Sequence, residues 1–273
     1  MKMNKITSTS NTKVKRLVNL KKKRKARDEE KVFLVEGIRM FREIPPEILR
    51  EVYVSEAFYK KEQGVIDGLQ NGGKEQGALR TAVEVLSDTV FGYVSDTRTP
   101  QGILCVARQM EYALPEVTGG ERPLVAVLDH LQDPGNLGTI FRAAEGAGVT
   151  GIVMDRECVD IYNPKTIRST MGSVYRMPFC YVEDLPDAVR EMKENGILTY
   201  AAHLEGRRDY DEEDYRRPCA FLIGNEGNGL TREVAQLADA YIRIPMKGQV
   251  ESLNAAVAAS VLMFEAARQR RKE

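Results

Sequence analysis

PLVAVLDHLQDPGNLGTIFRAAEGAG, residues 123–148, is the segment from which the architecture can be worked out. Its opening, Leu124 to Leu128, is a Val-rich apolar run of the length of a buried strand, and residues 140–147 are rich in helix formers. Between them lies a polar loop, residues 129–138. It carries Asp133, Pro134, Gly135, Asn136 and Gly138, residue types that turn sharply and let backbone approach a ligand. Arg142 follows two residues into the expected helix. Helical side chains lean toward the N-terminus, so its guanidinium is expected to project back toward the loop.

Downstream the alternation continues. Residues 151–154 read as a strand, 164–171 as a helix, 183–195 as a helix with Pro186 in its opening turns, and 198–202 as a strand. Such alternation predicts a parallel sheet covered by helices. Residues 207–217 are charged and loop-like, with Tyr210 and Tyr215 expected at the surface or at a partner.

Two further stretches carry chemistry. In CAFLIGNEGNGL, residues 219–230, an apolar strand runs into Gly224, Glu226, Gly227 and Gly229, after which Thr231 is placed to cap a new helix. Glycines at the carboxyl end of a parallel strand suit a backbone that contacts a ligand, and they equally suit a plain turn. In YIRIPMKGQVESLNAAVAASVLMFEAARQRR, residues 241–271, a strand over 241–244 and a loop over 245–250 precede an Ala-rich helix from Leu253 onward, with a basic end at 268–272. Ser252 and Asn254 stand at its start, where capping is the commonest role.

Upstream, Pro115, Gly119, Gly120 and Pro123 punctuate a polar stretch that marks a domain boundary between residues 113 and 114. Before it, strands are expected over 32–35, 52–54, 82–86 and 102–107. Helices are expected over 38–44 and, behind a Ser87 cap, over 88–94, with a loop over 71–77. Nothing in this half has catalytic spacing, so it reads as a binding module.

The formal net charge is zero but unevenly distributed: no acidic residue precedes Asp28, while Lys13, Lys15, Arg16, Lys21, Lys22, Lys23, Arg24, Lys25 and Arg27 crowd one basic arm. This concentration points to a phosphate backbone or else to a solvated tail; Leu17, Val18 and Leu20 are placed to anchor one face of a helix. With 273 residues, 42% hydrophobic and 29% charged, the chain has the composition of a globular protein of one or two domains. No apolar run reaches membrane-spanning length and no signal peptide is visible, so a cytoplasmic enzyme is expected. Cys105, Cys158, Cys180 and Cys219 are scattered and only His130 and His203 accompany them, which argues against a zinc site or a disulfide framework and for buried, core cysteines.

DPGNLGTIFRAA, IGNEGNGL and IPMKGQVESLNAAVAAS, in that order, resemble the three motifs of the SpoU (TrmH-like) branch of the SPOUT superfamily of RNA 2′-O-ribose methyltransferases. FLVEG at 33–37 and TPQGIL at 99–104 look like the L30e-like substrate-binding domain carried by many members. The resemblance implies an α/β protein: an N-terminal L30e-like α/β domain and a C-terminal SPOUT α/β domain with a parallel sheet and a deep trefoil knot. It implies S-adenosyl-L-methionine as cofactor, structured RNA as substrate and a homodimer through the C-terminal domain. It carries Asn136, Arg142, Glu226, Ser252 and Asn254 over as the catalytic set. Cofactor contacts carry over to Gly224, Ile244 and Leu253, with Met246 and the strand end at Ala202 as neighbours. For Arg142 two roles stand open, the proton-accepting base proposed for the family and a clamp on an RNA phosphate, since guanidinium normally stays protonated. Ribosomal RNA is favoured as substrate by the structured-RNA module, with transfer RNA, or a non-catalytic structured-RNA-binding protein, as the alternatives. A methyltransferase of the common nucleotide-binding fold would need a G-x-G-x-x-G loop, which DHLQDPGNLG does not supply.

Overall fold

The basic stretch at the N-terminus is folded. In the computed structural model, which describes residues 5–71, 83–204 and 206–271, a short strand β1 (Lys5–Ile6) leads to α1 (Thr12–Lys22) and α2 (Arg24–Glu30). The Asn11 side chain caps α1 by accepting from the Lys13 N–H. Val14, Leu17 and Leu20 on α1 are fully buried in a cluster with Phe91 and Val94, so the apolar stripe, not the charge, fixes this segment. A solvated tail is therefore excluded for α1. Several cations are engaged within the fold: Lys21 donates to the carbonyls of Tyr93 and Ser95, Arg16 pairs with Glu30 and Glu51, and Arg27 is buried. Lys15, Lys22, Lys23 and Lys25 remain exposed.

The chain continues through β2 (Val32–Glu36), α3 (Ile38–Arg42), β3 (Leu49–Ser55), α4 (Glu56–Lys61), α5 (Gln63–Asn71), β4 (Val83–Leu86), α6 (Asp88–Val94) and β5 (Ile103–Arg108). The five strands form a mixed sheet of order β1-β4-β3-β5-β2, in which β5 is antiparallel to both its neighbours. Ser87 caps α6 as expected, its hydroxyl accepting from the Val90 N–H. The loop expected over residues 71–77 lies, apart from Asn71 at the end of α5, outside the described residues, as do residues 82 and 272 of the expected strand and helix ends.

The second half runs α7 (Leu114–Thr118), β6 (Leu124–Leu128), α8 (Pro134–Ala147), β7 (Gly151–Asp155), α9 (Pro164–Thr170), β8 (Phe179–Val182), α10 (Leu185–Glu194), β9 (Leu198–Ala202), β10 (Arg208–Asp209), β11 (Cys219–Ile223), α11 (Arg232–Gln236), β12 (Ala240–Arg243) and α12 (Ala255–Arg270). Its seven strands make one sheet of order β10-β12-β9-β11-β6-β7-β8, every pair parallel, as the alternation predicts. β6 and β11 lie side by side at its centre with every residue buried, which is why both read as unbroken apolar runs. The final strand, β12, is inserted between β9 and β10, an order that agrees with the knotted fold implied by the resemblance.

The described chain gathers into two compact units, Met1–Met110 with Tyr162–Tyr175, and Glu111–Ile161 with Arg176–Glu273. Residues 162–175, placed by the sequence after the boundary at 113, thus pack with the N-terminal half. Tyr162 explains this locally: its ring lies 4.7 Å from that of Phe33 and its hydroxyl bonds both backbone groups of Met110. In the second unit, Tyr215 is fully buried against Tyr200 and Phe221 rather than at the surface, and its hydroxyl donates to the Tyr210 carbonyl. All four cysteines are buried and free.

Candidate active site

Parallel pairing sends the loops after β6, β11 and β12 out of the same edge of the sheet, the edge at which open α/β sheets hold ligands. These are the three stretches singled out in the sequence. The first differs from expectation in one respect. α8 starts at Pro134, six residues before the position expected, because the Asp133 side chain accepts the Asn136 N–H at 2.8 Å and proline suits a first helical position that has no use for an N–H. Asn136 therefore sits in the first turn. Arg142 lies six residues on, about 9 Å along the axis. It is exposed and makes no hydrogen bond or ion pair with any described residue, so the expected reach back to the loop is not seen.

The second loop folds tightly on itself. Asn225 and Gly229 exchange backbone hydrogen bonds at 2.9 and 3.0 Å, and the Asn225 side chain accepts from the N–H of Gly227 and Asn228. Gly229 takes a φ of +67°, and a Cβ on Gly224 would lie 2.1 Å from backbone atoms of Gly229 and Leu230. Glycine is thus required here by the turn itself, and the product of that turn is the placement of Glu226. Thr231 begins α11 without capping it; its hydroxyl and N–H donate instead to Asp129 at 2.8 and 2.6 Å.

Glu226, Asn136 and Asn254 form one chain of hydrogen bonds drawn from all three stretches. Asn136 Nδ2 donates to Glu226 Oε1 at 2.8 Å, and Asn254 Nδ2 donates to Asn136 Oδ1 at 3.0 Å. Asn254 also caps α12, its Oδ1 accepting from the N–H of Ala256 and Val257. The capping and the catalytic reading are therefore both satisfied by one side chain. Its carbonyl oxygen must face the helix, which forces its amide nitrogen toward Asn136 and, in turn, Asn136's nitrogen toward Glu226. Backbone N–H groups of Gln132 and Asp133 complete the carboxylate's shell at 3.3 and 3.1 Å. Partial burial raises the Glu226 pKa, but these donors outweigh it and hold the group below its ordinary value, so it is a carboxylate at neutral pH.

Ser252 is exposed and free of partners among the described residues. Ile244, Met246 and Leu253 are half-buried along the third loop, with Gly224 and Ala202 half-buried at the ends of β11 and β9. Between residues 245 and 253 the described chain makes no backbone hydrogen bond, which leaves amide groups free to hold a ligand. Sequence reasoning missed His130, Asp129 and the backbone of Gln132 and Asp133. The one signal was an Asp-His pair directly after a buried strand.

The description "SpoU rRNA Methylase family" matches residues 123–264, and an MRM3-like substrate binding domain matches residues 11–105. The 23S rRNA (guanosine(2553)-2'-O)-methyltransferase RlmP of Bacillus subtilis (strain 168) is 34% identical over 96% of this chain and 98% of its own. The AdoMet-bound rRNA methyltransferase from Sinorhizobium meliloti superposes with a TM-score of 0.83 at 31% identity, covering 97% of this chain and 98% of that one. The SpoU methyltransferase AviRb from Streptomyces viridochromogenes, in complex with AdoMet, gives 0.84 at 26% identity over 96% and 98%. Three motif loops joined in one hydrogen-bonded network and a relative matched along its whole length lead to one conclusion: the chain belongs to the SpoU rRNA methylase family.

Proposed function

We propose that this protein transfers a methyl group from S-adenosylmethionine to a ribose 2′-hydroxyl of ribosomal RNA in the cytoplasm. The observation that carries the reading is the Glu226–Asn136–Asn254 chain, which joins all three motif loops at the ligand edge of a parallel sheet. Ribosomal RNA is favoured over transfer RNA because the rRNA enzymes of B. subtilis and S. meliloti are matched from end to end, N-terminal half included.

The third loop fits the cofactor: its free backbone groups and the half-buried Ile244, Met246 and Leu253 offer polar edges and apolar walls, at the same edge of the sheet as Gly224 and Ala202 at the ends of β11 and β9. S-adenosylmethionine, when bound, supplies an electrophilic methyl group. The chain's own contribution is alignment of the ribose hydroxyl. Asn136 and Asn254 each retain an amide N–H beyond those in the network, and Ser252 a free hydroxyl, to hold the ribose. Glu226 is committed to three donors, so it orients Asn136 and is not the base. Arg142, exposed and permanently charged, is the clamp for an RNA phosphate.

The N-terminal unit supplies RNA affinity through the exposed Lys15, Lys22, Lys23 and Lys25. The enzyme works as a homodimer through its C-terminal unit, where Val257 and Phe264, seven residues apart on α12, are 47% and 50% exposed. None of the described helices is long and apolar enough to cross a membrane.

The test is transfer of labelled methyl to separately supplied ribosomal and transfer RNA, with the site mapped by resistance to alkaline cleavage. Label in ribosomal RNA at a 2′-oxygen supports the reading, label in transfer RNA alone replaces the substrate, and label at a base overturns it.

A further inference from the structure

His130 occupies a left-handed backbone conformation, φ +57°, in the turn directly after β6. A non-glycine residue persists there only when its surroundings impose it, and here they do. Its N–H donates to Asp155 Oδ2 at 2.7 Å and its carbonyl accepts from Asn225 Nδ2 at 2.8 Å. Its ring Nδ1 lies 2.8 Å from both Asp129 Oδ1 and Asp155 Oδ2. Both carboxylates are buried, at 1% and 5% exposure, whereas the imidazole side chain is 46% exposed. The remaining oxygens are engaged as well: Asp129 Oδ2 accepts from Thr231, and Asp155 Oδ1 from the Cys158 N–H at 2.7 Å. Three of the four carboxylate oxygens thus have a donor outside the ring, and the fourth, Asp129 Oδ1, faces the ring Nδ1 alone, so the proton on Nδ1 closes the joint.

This joint ties together four segments: the end of β6, the end of β7, the glycine-rich loop after β11, and the start of α11. The chain leaving it first donates from the Leu131 N–H to Cys158 Sγ and then, from the N–H groups of Gln132 and Asp133, to Glu226. We propose that His130 is a positioning residue for methyl transfer: its ring, held between Asp129 and Asp155, sets the turn that presents the Gln132 and Asp133 amides to Glu226 and so fixes Asn136. The inference rests on the functional reading above for its effect on rate, but not for its effect on geometry.

The charged groups that face the ring are Asp129, directly after β6, and Asp155, the last residue of β7. Burial lowers the imidazole's affinity for a proton, and the two carboxylates more than restore it, leaving the pKa raised. A raised folded value means the clamp contributes fully below the ordinary histidine pKa and is lost as pH rises through the folded one.

The 273-residue chain carries one other histidine, His203, so NMR resolves the His130 ring directly. The expected midpoint lies above the ordinary 6.5 and falls in Asp155→Asn. His130→Asn keeps a residue that tolerates the left-handed turn but removes the ring. In that variant the Gln132 and Asp133 amides should exchange with solvent at least about tenfold faster, and single-turnover methyl transfer should fall by about tenfold or more while S-adenosylmethionine affinity holds within about twofold. The double variant with Asp155→Asn should lose no more than the worse single one. A His130 midpoint at or below 6.5, or unchanged exchange of both amides in His130→Asn, overturns the proposal. If the wild-type protein methylates no RNA, the functional reading fails, and titration and exchange still decide the clamp.

Discussion

Replacing Glu226 separates orientation from base catalysis. Its Oε1 accepts from Asn136 Nδ2 at 2.8 Å and Asp133 N at 3.1 Å, and its Oε2 from Gln132 N at 3.3 Å. Glu226→Gln can leave its carbonyl oxygen on the first two donors and sets an N–H against the third, forfeiting one long bond. That is about 1 kcal/mol of network stability, or roughly fivefold in rate if all of it is felt in the transition state. Asn136 cannot turn over to relieve the misfit, because Asn254 is held by the α12 cap on its far side. Glu226→Ala removes all three bonds, roughly 3 kcal/mol, and should cost on the order of a hundredfold. The assay is single-turnover methyl transfer at saturating RNA and cofactor, with cofactor binding by calorimetry alongside. A base would respond differently: without a titratable carboxyl, the glutamine variant would be as inert as the alanine one. That outcome would refute the orienting role. The lowered pKa gives a second check. Stability from Glu226 is present above its ordinary carboxylate range and lost as pH falls through the lower folded value, so Glu226→Gln should flatten acid-side unfolding.

Arg142→Ala should fold, dimerise and bind S-adenosylmethionine yet transfer methyl on the order of a hundredfold more slowly; Arg142→Lys, which keeps charge but not the planar fork, should recover little in the same single-turnover assay. Arg270, near the end of α12, donates to the carbonyls of Tyr215, Arg122, Pro123 and Arg217, so Arg270→Ala should lower stability by about 2 kcal/mol in urea unfolding by detaching the last helix. Neutralising Lys22, Lys23 and Lys25 together should weaken RNA binding and flatten its log–log salt dependence by about 0.7 to 0.9 for each phosphate no longer neutralised, without changing cofactor affinity. Replacing Lys21 and Arg27 should instead register in thermal melting, because those two serve the fold.

The two α/β halves, the parallel sheet and the three motif loops are legible in the chain alone. Each of these is written in local pattern: unbroken apolar runs at Leu124–Leu128 and Cys219–Ile223 mark strands buried on both faces, and glycines and caps mark where they end. Where sequence and structure part, a long-range partner decides. For Lys13 to Arg27 the sequence marks Leu17, Val18 and Leu20 as a helix anchor but leaves a solvated tail open, because the residues that cover Val14, Leu17 and Leu20, Phe91 and Val94 among them, lie far along the chain. Short strands such as β1, β8 and β10 have too few residues to show a period and exist through their neighbours. The burial of Tyr215 and the packing of residues 162–175 escape a local reading as well, since Phe33 packs on Tyr162, and Tyr200 and Phe221, brought together by the pairing of β9 with β11, pack on Tyr215. At the site, motif resemblance supplies Asn136, Glu226 and Asn254, but only the folded chain shows that one hydrogen-bond polarity runs through all three. It alone brings His130 between Asp129 and Asp155, 25 residues further on, because the coupling of two parallel strand ends is set by the sheet and not by the spacing of residues along the chain.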